Sequence, residues 1–312
     1  GTGKTAAFAL PILQHLSEDP FGIFAIILTP TRELAIQICE QFTSLGAPMG
    51  ARIESIIGGV NMTEQSLQLS RRPHIIVATP GRLRHHLTGA DKPDLSRARY
   101  LVLDEADRLL SDGFSSELEV LLAEASHPKR QTLLFSATLS SSLRDLEKLA
   151  MKDTLRFDLT HTQRIPSQLK QELLFIPGRV KLAYLVAVLR NFLGLGESNP
   201  SGKKSDKDSE EFDLIADLTG KKSSKHQKLD KKKKGGKWSK SDAANGLEQL
   251  LRGGNGDREN SRKSAIIFVG SCQRCAEIST TLIELGIDCV ALHSLLSQPK
   301  RLSSLQRFRD SS

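Results

Sequence analysis

Two short stretches of this chain carry residue types that do chemistry as a pair. The first is Gly1-Thr2-Gly3-Lys4-Thr5. Its glycines let the backbone approach an anion closely, the Lys4 ammonium suits bridging phosphates, and the Thr5 hydroxyl suits a magnesium ion. The segment that follows reads as a helix whose first amides face that anion. The earlier glycine and the strand of the full phosphate-loop pattern are absent, so these five residues alone read equally well as a glycine-rich turn. The second stretch is Asp104-Glu105-Ala106-Asp107, placed directly after the apolar run Tyr100 to Leu103. Adjacent carboxylates on an exposed helix are ordinarily solvated charge, but a buried strand ending in three acids is unfavourable unless a cation waits there. In that setting Asp104 holds a hydrated metal and Glu105 takes a proton from the attacking water.

Positioning these groups requires strands that end together. Five short apolar runs occur between Ile23 and Thr138: Ile23–Pro30, Arg52–Gly59, His74–Pro80, Tyr100–Asp107 and Gln131–Thr138, separated by stretches of helical pattern. Continuous apolar strands alternating with helices predict a parallel sheet covered on both faces, with functional loops at the carboxyl ends of its strands. Each run ends in a polar tail there. A second α/β unit is expected from about residue 161, with strand-like segments over Gln171–Pro177, Ser264–Gly270 and Ile287–His293 and a helix over Val180–Leu193. Pro11 is expected to bend the first helix.

The net charge of +8 over 312 residues looks general until it is located. Between Lys221 and Lys240, ten lysines face one acid, Asp230, so that stretch carries +9 and the rest of the chain sums to about −1 (+8 less +9). Any grip on nucleic acid by the folded part therefore comes from placed groups rather than from a positive field. Residues 194–262 are rich in Lys, Ser, Gly and Asp and bury too little apolar surface to offset the entropy of ordering, so they read as a disordered insertion. No run reaches the 18 or so uncharged apolar residues of a membrane helix, and no membrane partner is expected.

With these stretches in view, the chain resembles the DEAD-box RNA helicases. The resemblance rests on six motifs in the family's order: Gly1 to Thr5, Pro30-Thr31-Arg32-Glu33-Leu34-Ala35, Gly58-Gly59, Thr79-Pro80-Gly81-Arg82, Asp104 to Asp107, and Ser136-Ala137-Thr138. It continues more thinly in Ala265–Ile278 and Leu292–Phe308, where Ser294 stands in place of the usual glycine. It implies two RecA-like parallel-sheet domains, residues 1–160 and residues 161–193 with 263–312, the second incomplete. It implies ATP and Mg²⁺ as cofactors, with Gly1, Thr2, Gly3, Lys4 and Thr5 on the nucleotide and Thr5 and Asp104 on the metal. Lys4, Asp104 and Glu105 would be catalytic, and Asp107 would couple to Ser136, Ala137 and Thr138. Pro30, Thr31, Arg32, Gly58, Gly59, Thr79, Pro80, Gly81 and Arg82 would hold an RNA sugar-phosphate backbone. That mode suits a near-neutral core, because amides, hydroxyls and two arginines grip phosphate without reading bases.

The segments Gly22–Gly50, Leu69–Leu87 and Leu292–Arg301 resemble nucleolar members acting in small-subunit, 18S rRNA processing. They imply pre-rRNA as the partner and the nucleus and nucleolus as the location. The Lys-rich stretch fits a nuclear localisation signal or an RNA tether, and equally a solvated variable loop. A glutamine segment ahead of the phosphate loop and the family's late arginines lie outside this sequence, so the chain by itself is expected to hydrolyse ATP poorly. The competing readings are an RNA-binding scaffold without catalysis and a DNA helicase. Thr31 also reads as an ordinary helix cap, and His85-His86 as solvated surface. Cys272 and Cys275 form a C-x-x-C without a second pair, which reads as packing rather than as zinc.

Overall fold

The computed structural model describes residues 3–89, 91–111, 113–138, 141–151, 153–158, 169–195 and 263–311; the side chains of residues 141–143 are excepted. Gly1, Thr2, the expected domain boundary near residue 160 and nearly all of the expected insertion lie outside them. The chain divides into two compact units, Gly1–Arg164 and Ile165–Ser312.

In the first unit, α1 (Lys4–Glu18), β1 (Ala25–Leu28), α2 (Arg32–Gly46), β2 (Ile53–Ile56), α3 (Met62–Ser70), β3 (Ile75–Ala78) and α4 (Pro80–Leu87) follow in order. Then come β4 (Tyr100–Leu103), α5 (Ala106–Ser111), α6 (Ser115–Glu124), β5 (Gln131–Leu134) and α7 (Ser141–Ala150). The strands form one all-parallel sheet in the order β2-β3-β1-β4-β5. The three inner strands are buried at every position.

Because successive strand residues point to opposite faces, each inner strand feeds two cores. Ala25, Ile27, Ile75, Val77 and Val102 meet Phe8, Ile12 and Leu16 of α1 and Ala35, Ile38 and Phe42 of α2. Ile26, Leu28, Ile76, Leu101 and Leu103 meet Leu83 of α4, Leu109 of α5 and Leu118 and Leu121 of α6. Pro11 interrupts nothing: α1 runs unbroken from Lys4 to Glu18 with Pro11 on its exposed side. There the carbonyl that loses its N–H partner faces water.

His86 corrects the expectation of a solvated pair. His85 is exposed, but His86 is buried, one turn beyond Leu83 on the inner face of α4.

The second unit packs α8 (Lys181–Leu193) against a helix over Cys272–Glu284, with Val186, Leu189, Leu282 and Ile287 at the centre. A further helix covers Gln298–Ser311. The strand-like segments expected here do not pair into a sheet among the described residues. Ala265 and Ile267 pack on the small core, whereas Ile266 and Phe268 are exposed. The period-2 alternation is therefore present, but only one of its two apolar faces is covered.

Burial holds His74 and His86 below the ordinary histidine value; Arg52 adds to the effect at His74, and Arg82 and His85 add to it at His86. An unfolded chain takes up these protons first, near pH 6.5, so the stability they contribute is present above that pH and is lost as pH falls below it. The raised carboxyls of Glu54 and Asp104 act in the opposite sense. Comparison with a single variant isolates the histidine part. Urea unfolding midpoints should fall from pH 7.5 to pH 5.5 more steeply for the parent than for His86→Gln, and equal slopes would contradict this assignment.

Candidate functional site

Backbone hydrogen bonds carry the ladder just past the strand ends and fix where each polar loop leaves. Thr29 N donates to Ala78 O at 3.0 Å, Thr79 N to Ile56 O at 3.1 Å, Asp104 N to Leu28 O at 2.9 Å and Phe135 N to Leu103 O at 2.9 Å. The motifs after all five strands therefore line one sheet edge, in the order Gly58-Gly59, Thr79 to Arg82, Pro30 to Arg32, Asp104 to Asp107, Ser136 to Thr138.

The first three of these loops are joined by two arginines. Gly58 lies so close to the Arg32 guanidinium that a Cβ built there would sit 3.0 Å from its terminal nitrogen. Gly59 takes φ 80°, a backbone region in which a side chain is strained. Arg82 donates from Nη2 to Val60 O at 3.2 Å and from Nη1 to Met62 Sδ at 2.8 Å. Thr31 does cap α2, its Oγ1 accepting from Leu34 N at 3.3 Å, so the ordinary-cap reading holds. Thr79 and Pro80 are buried at the start of α4, while Gly81 is exposed with open space beside it.

The remaining loops hold the acids. Burial pushes the Asp104 carboxyl above its ordinary value, with Glu105 adding to this, while the Glu105 amide and the Lys4 ammonium partly offset it. The amide bond is the 3.1 Å contact from Glu105 N to Asp104 Oδ1. Glu105 itself adopts φ 49°, rare for a residue with a side chain. Its carboxylate accepts from Arg108 Nη1 at 2.9 Å.

Asp107 has the opposite balance. Burial raises its carboxyl, but hydrogen bonds from Thr138 and Ser136 and from two backbone amides outweigh that and hold it below the usual range. Thr138 Oγ1 donates to Asp107 at 2.9 Å, and the Ser136 hydroxyl in the same turn accepts from Thr138 N at 3.2 Å. Gly3 precedes α1 with φ 73°. With Lys4 and Ser136 to Thr138 it rims one end of a cleft of about 1400 Å³ along β5. Thr5 is the next residue of α1 and is half-buried.

The structure thus gathers Lys4, Asp104 and Glu105 on one part of the edge, and Arg32, Gly58, Gly59 and Arg82 on another. Sequence reasoning missed Arg108, which its i,i+3 spacing from Glu105 offered as a partner, and the buried Gln65 and His86 behind the Gly58-Gly59 turn. All four cysteines are free. Cys289 packs on the core of the second unit and the Cys272 thiol meets Ser294 Oγ at 3.3 Å. Among the described residues no group of three or more His, Cys, Asp or Glu side chains converges as a metal site.

The DEAD/DEAH box helicase family model matches residues 1–146. The mouse probable ATP-dependent RNA helicase DDX49 is 38% identical over 100% of this chain and 52% of its own length. The chain is similar to DEAD-box helicases along its whole length. The ATP-dependent RNA helicase DBP8 of Yarrowia lipolytica is 36% identical over 99% of the chain and 56% of that protein. Among solved structures, a DEAD box protein from Methanococcus jannaschii is 40% identical, with a TM-score of 0.46, over 49% of this chain and 41% of that one. The chain spans about half the length of the curated relatives it matches.

Asp104 bears an uncompensated burial cost, so neutralising it should stabilise the protein. Asp104→Asn keeps the oxygen that accepts from Glu105 N and removes the charge. Its denaturation midpoint at pH 7 should rise; an unchanged or lowered midpoint would contradict the electrostatic assignment.

Proposed function

We propose that this chain forms the ATP-hydrolysing and RNA-gripping part of an ATP-dependent RNA helicase. The observation that carries the reading is the Asp107–Thr138 hydrogen bond. It ties the loop after β4, which holds Asp104 and Glu105, to the loop after β5, on the same edge that presents Arg32, Gly58, Gly59 and Arg82.

In this reading Gly1 to Thr5 cradle the phosphates of ATP, with the Lys4 ammonium on the outer phosphates. The donor set suits Mg²⁺: Asp104 and the Thr5 hydroxyl would hold it, and a hard cation at one carboxylate completes its shell with phosphate oxygens and water. When bound, it neutralises charge on the phosphates. Glu105 orients the attacking water and takes its proton. Arg108 holds that carboxylate in place until substrate competes for it. Asp107 with Ser136, Ala137 and Thr138 passes the state of the nucleotide to the neighbouring loops through a hydrogen bond that either holds or breaks.

Pro30, Thr31, Arg32, Gly58, Gly59, Thr79, Pro80, Gly81 and Arg82 grip an RNA backbone. This mode is sequence-independent, because amides and guanidinium groups meet phosphates rather than base edges. We place the protein's work in ribosome assembly, on pre-rRNA in the nucleolus, on the resemblance of Gly22–Gly50 and Leu69–Leu87 to that subgroup. We assign residues 1–160 to the first helicase domain, residues 161–193 with 263–312 to the second, and residues 194–262 to an insertion between its parts.

Glu105→Gln in the full-length protein tests the reading. RNA-stimulated ATP hydrolysis should fall by about two orders of magnitude or more, the scale of a lost general base, with RNA retained in the presence of ATP and with DNA a poor stimulator. Unchanged turnover would favour a noncatalytic scaffold, and equal stimulation by DNA would contradict the RNA assignment.

A further inference from the structure

The Gly58-Gly59 turn is held from behind by side chains that no part of the ATP chemistry uses. Ile56 O is the last carbonyl taken by the sheet, through Thr79 N. The next carbonyl, Ile57 O, faces a side chain instead: Gln65 Nε2 donates to it at 3.0 Å. Gln65 is 1% exposed, a polar residue in the middle of α3 that sits entirely inside the protein. Its other amide atom, Oε1, lies 3.3 Å from His86 Nε2, and His86 Nδ1 lies 3.3 Å from Ser66 Oγ.

Hydrogen-bond direction along this chain is fixed by its end. A carbonyl only accepts, so Gln65 must present its NH₂ to Ile57 and its oxygen to His86. Oε1 in turn only accepts, so His86 must carry its proton on Nε2. Burial and the nearby Arg82 both disfavour a second proton on the ring, which leaves Nδ1 as the acceptor for the Ser66 hydroxyl.

We propose that Gln65 and His86 are positioning residues that set the geometry of the Gly58-Gly59 turn for RNA. The inference rests on the RNA-binding reading of that turn. The relay runs from α3 and α4 into the carbonyl that directly precedes Gly58, at the point where the sheet ladder ends. Arg82, four residues before His86 on α4, pins Val60 O on the far side of the glycines. Both flanks of the turn are therefore fixed by the α3–α4 pair, and the two glycines between them are held ready for a phosphate rather than ordered by it. An apolar residue at 65 would leave Ile57 O buried without a donor, and one at 86 would leave Gln65 Oε1 without one; either change displaces the turn or loosens it.

Binding of a short oligouridylate, followed by fluorescence anisotropy in the full-length protein, tests the inference with four variants. Gln65→Leu and His86→Leu should each weaken binding about tenfold. His86→Gln, which restores an N–H toward Gln65, should return affinity to within about threefold of the parent. Arg82→Ala, which removes a proposed RNA contact, should weaken binding by itself. If Arg82→Ala leaves affinity unchanged, the RNA-site reading fails. If Arg82→Ala weakens binding while Gln65→Leu and His86→Leu do not, or if His86→Gln is as poor as His86→Leu, the positioning role is overturned and the RNA site stands. Nitrogen NMR of the parent protein provides a readout independent of variant folding. His86 should be the neutral Nε2–H tautomer, and an Nδ1–H tautomer would overturn the relay.

Discussion

The structure depends on a set of hydrogen bonds that run one residue past the strands of a parallel sheet. Inside the sheet, β3, β1 and β4 are buried on both faces, and their one polar side-chain group, the Tyr100 hydroxyl, is taken by His15. At their carboxyl ends the ladder continues through Thr29, Thr79, Asp104 and Phe135 before the chain turns away. Every loop therefore leaves from a backbone position set by its neighbour. Because the strands are parallel, all of these exits fall on one edge. The chain can place polar groups there without disturbing either core, and the loops can hold geometries, such as φ 49° at Glu105, that an isolated turn would not keep.

Strand order then divides the edge by chemistry. The loops after β2, β3 and β1 bring glycines and two arginines together; the loops after β4 and β5 bring acids and hydroxyls, with Lys4 opposite. The two acids of the Asp104-Asp107 segment differ in their state. Asp107 is fully engaged by Thr138 and Ser136 and held below its ordinary titration range. Asp104 is raised by burial that its neighbours only partly offset. An engaged acid suits a structural link, and an uncompensated acid suits a cation that arrives with substrate. Net charge contributes little to either role, since residues 221–240 carry more than the whole surplus and the rest of the chain sums to about −1.

Much of this was legible in the sequence because buried parallel strands leave a plain signal, an apolar run closed by a polar tail. The runs ending at Pro30, Pro80 and Asp107 each became a strand followed by a polar loop at the same sheet edge, and Thr31 became the cap its type and position implied. His86 was misread because two adjacent histidines look polar, although the spacing Leu83, His86, Leu87 already put one of them on the buried face. Pro11 lies on the exposed side of α1, where the helix continues past it, a property of packing that the residue itself does not reveal. In the second unit the alternation over Ala265–Phe268 was real, but a strand also needs a partner strand at its edge, which sequence pattern does not report. The contact of Arg32 with Gly58 was invisible for the same reason: it joins two loops that only the sheet order makes neighbours.

The division of one sheet edge into a nucleotide part and an RNA part is most directly tested by amide hydrogen exchange of the full-length protein, with a nonhydrolysable ATP analogue and a short RNA added separately and together. The expected result is that the analogue with Mg²⁺ slows exchange at Gly3 to Thr5 and Asp104 to Asp107, while RNA slows it at Arg32 to Leu34, Gly58 to Val60 and Gly81 to Arg82. With both present, protection should extend to Ser136 to Thr138. RNA protection confined to the Lys-rich residues 221–240, with none at the three loops, would contradict it.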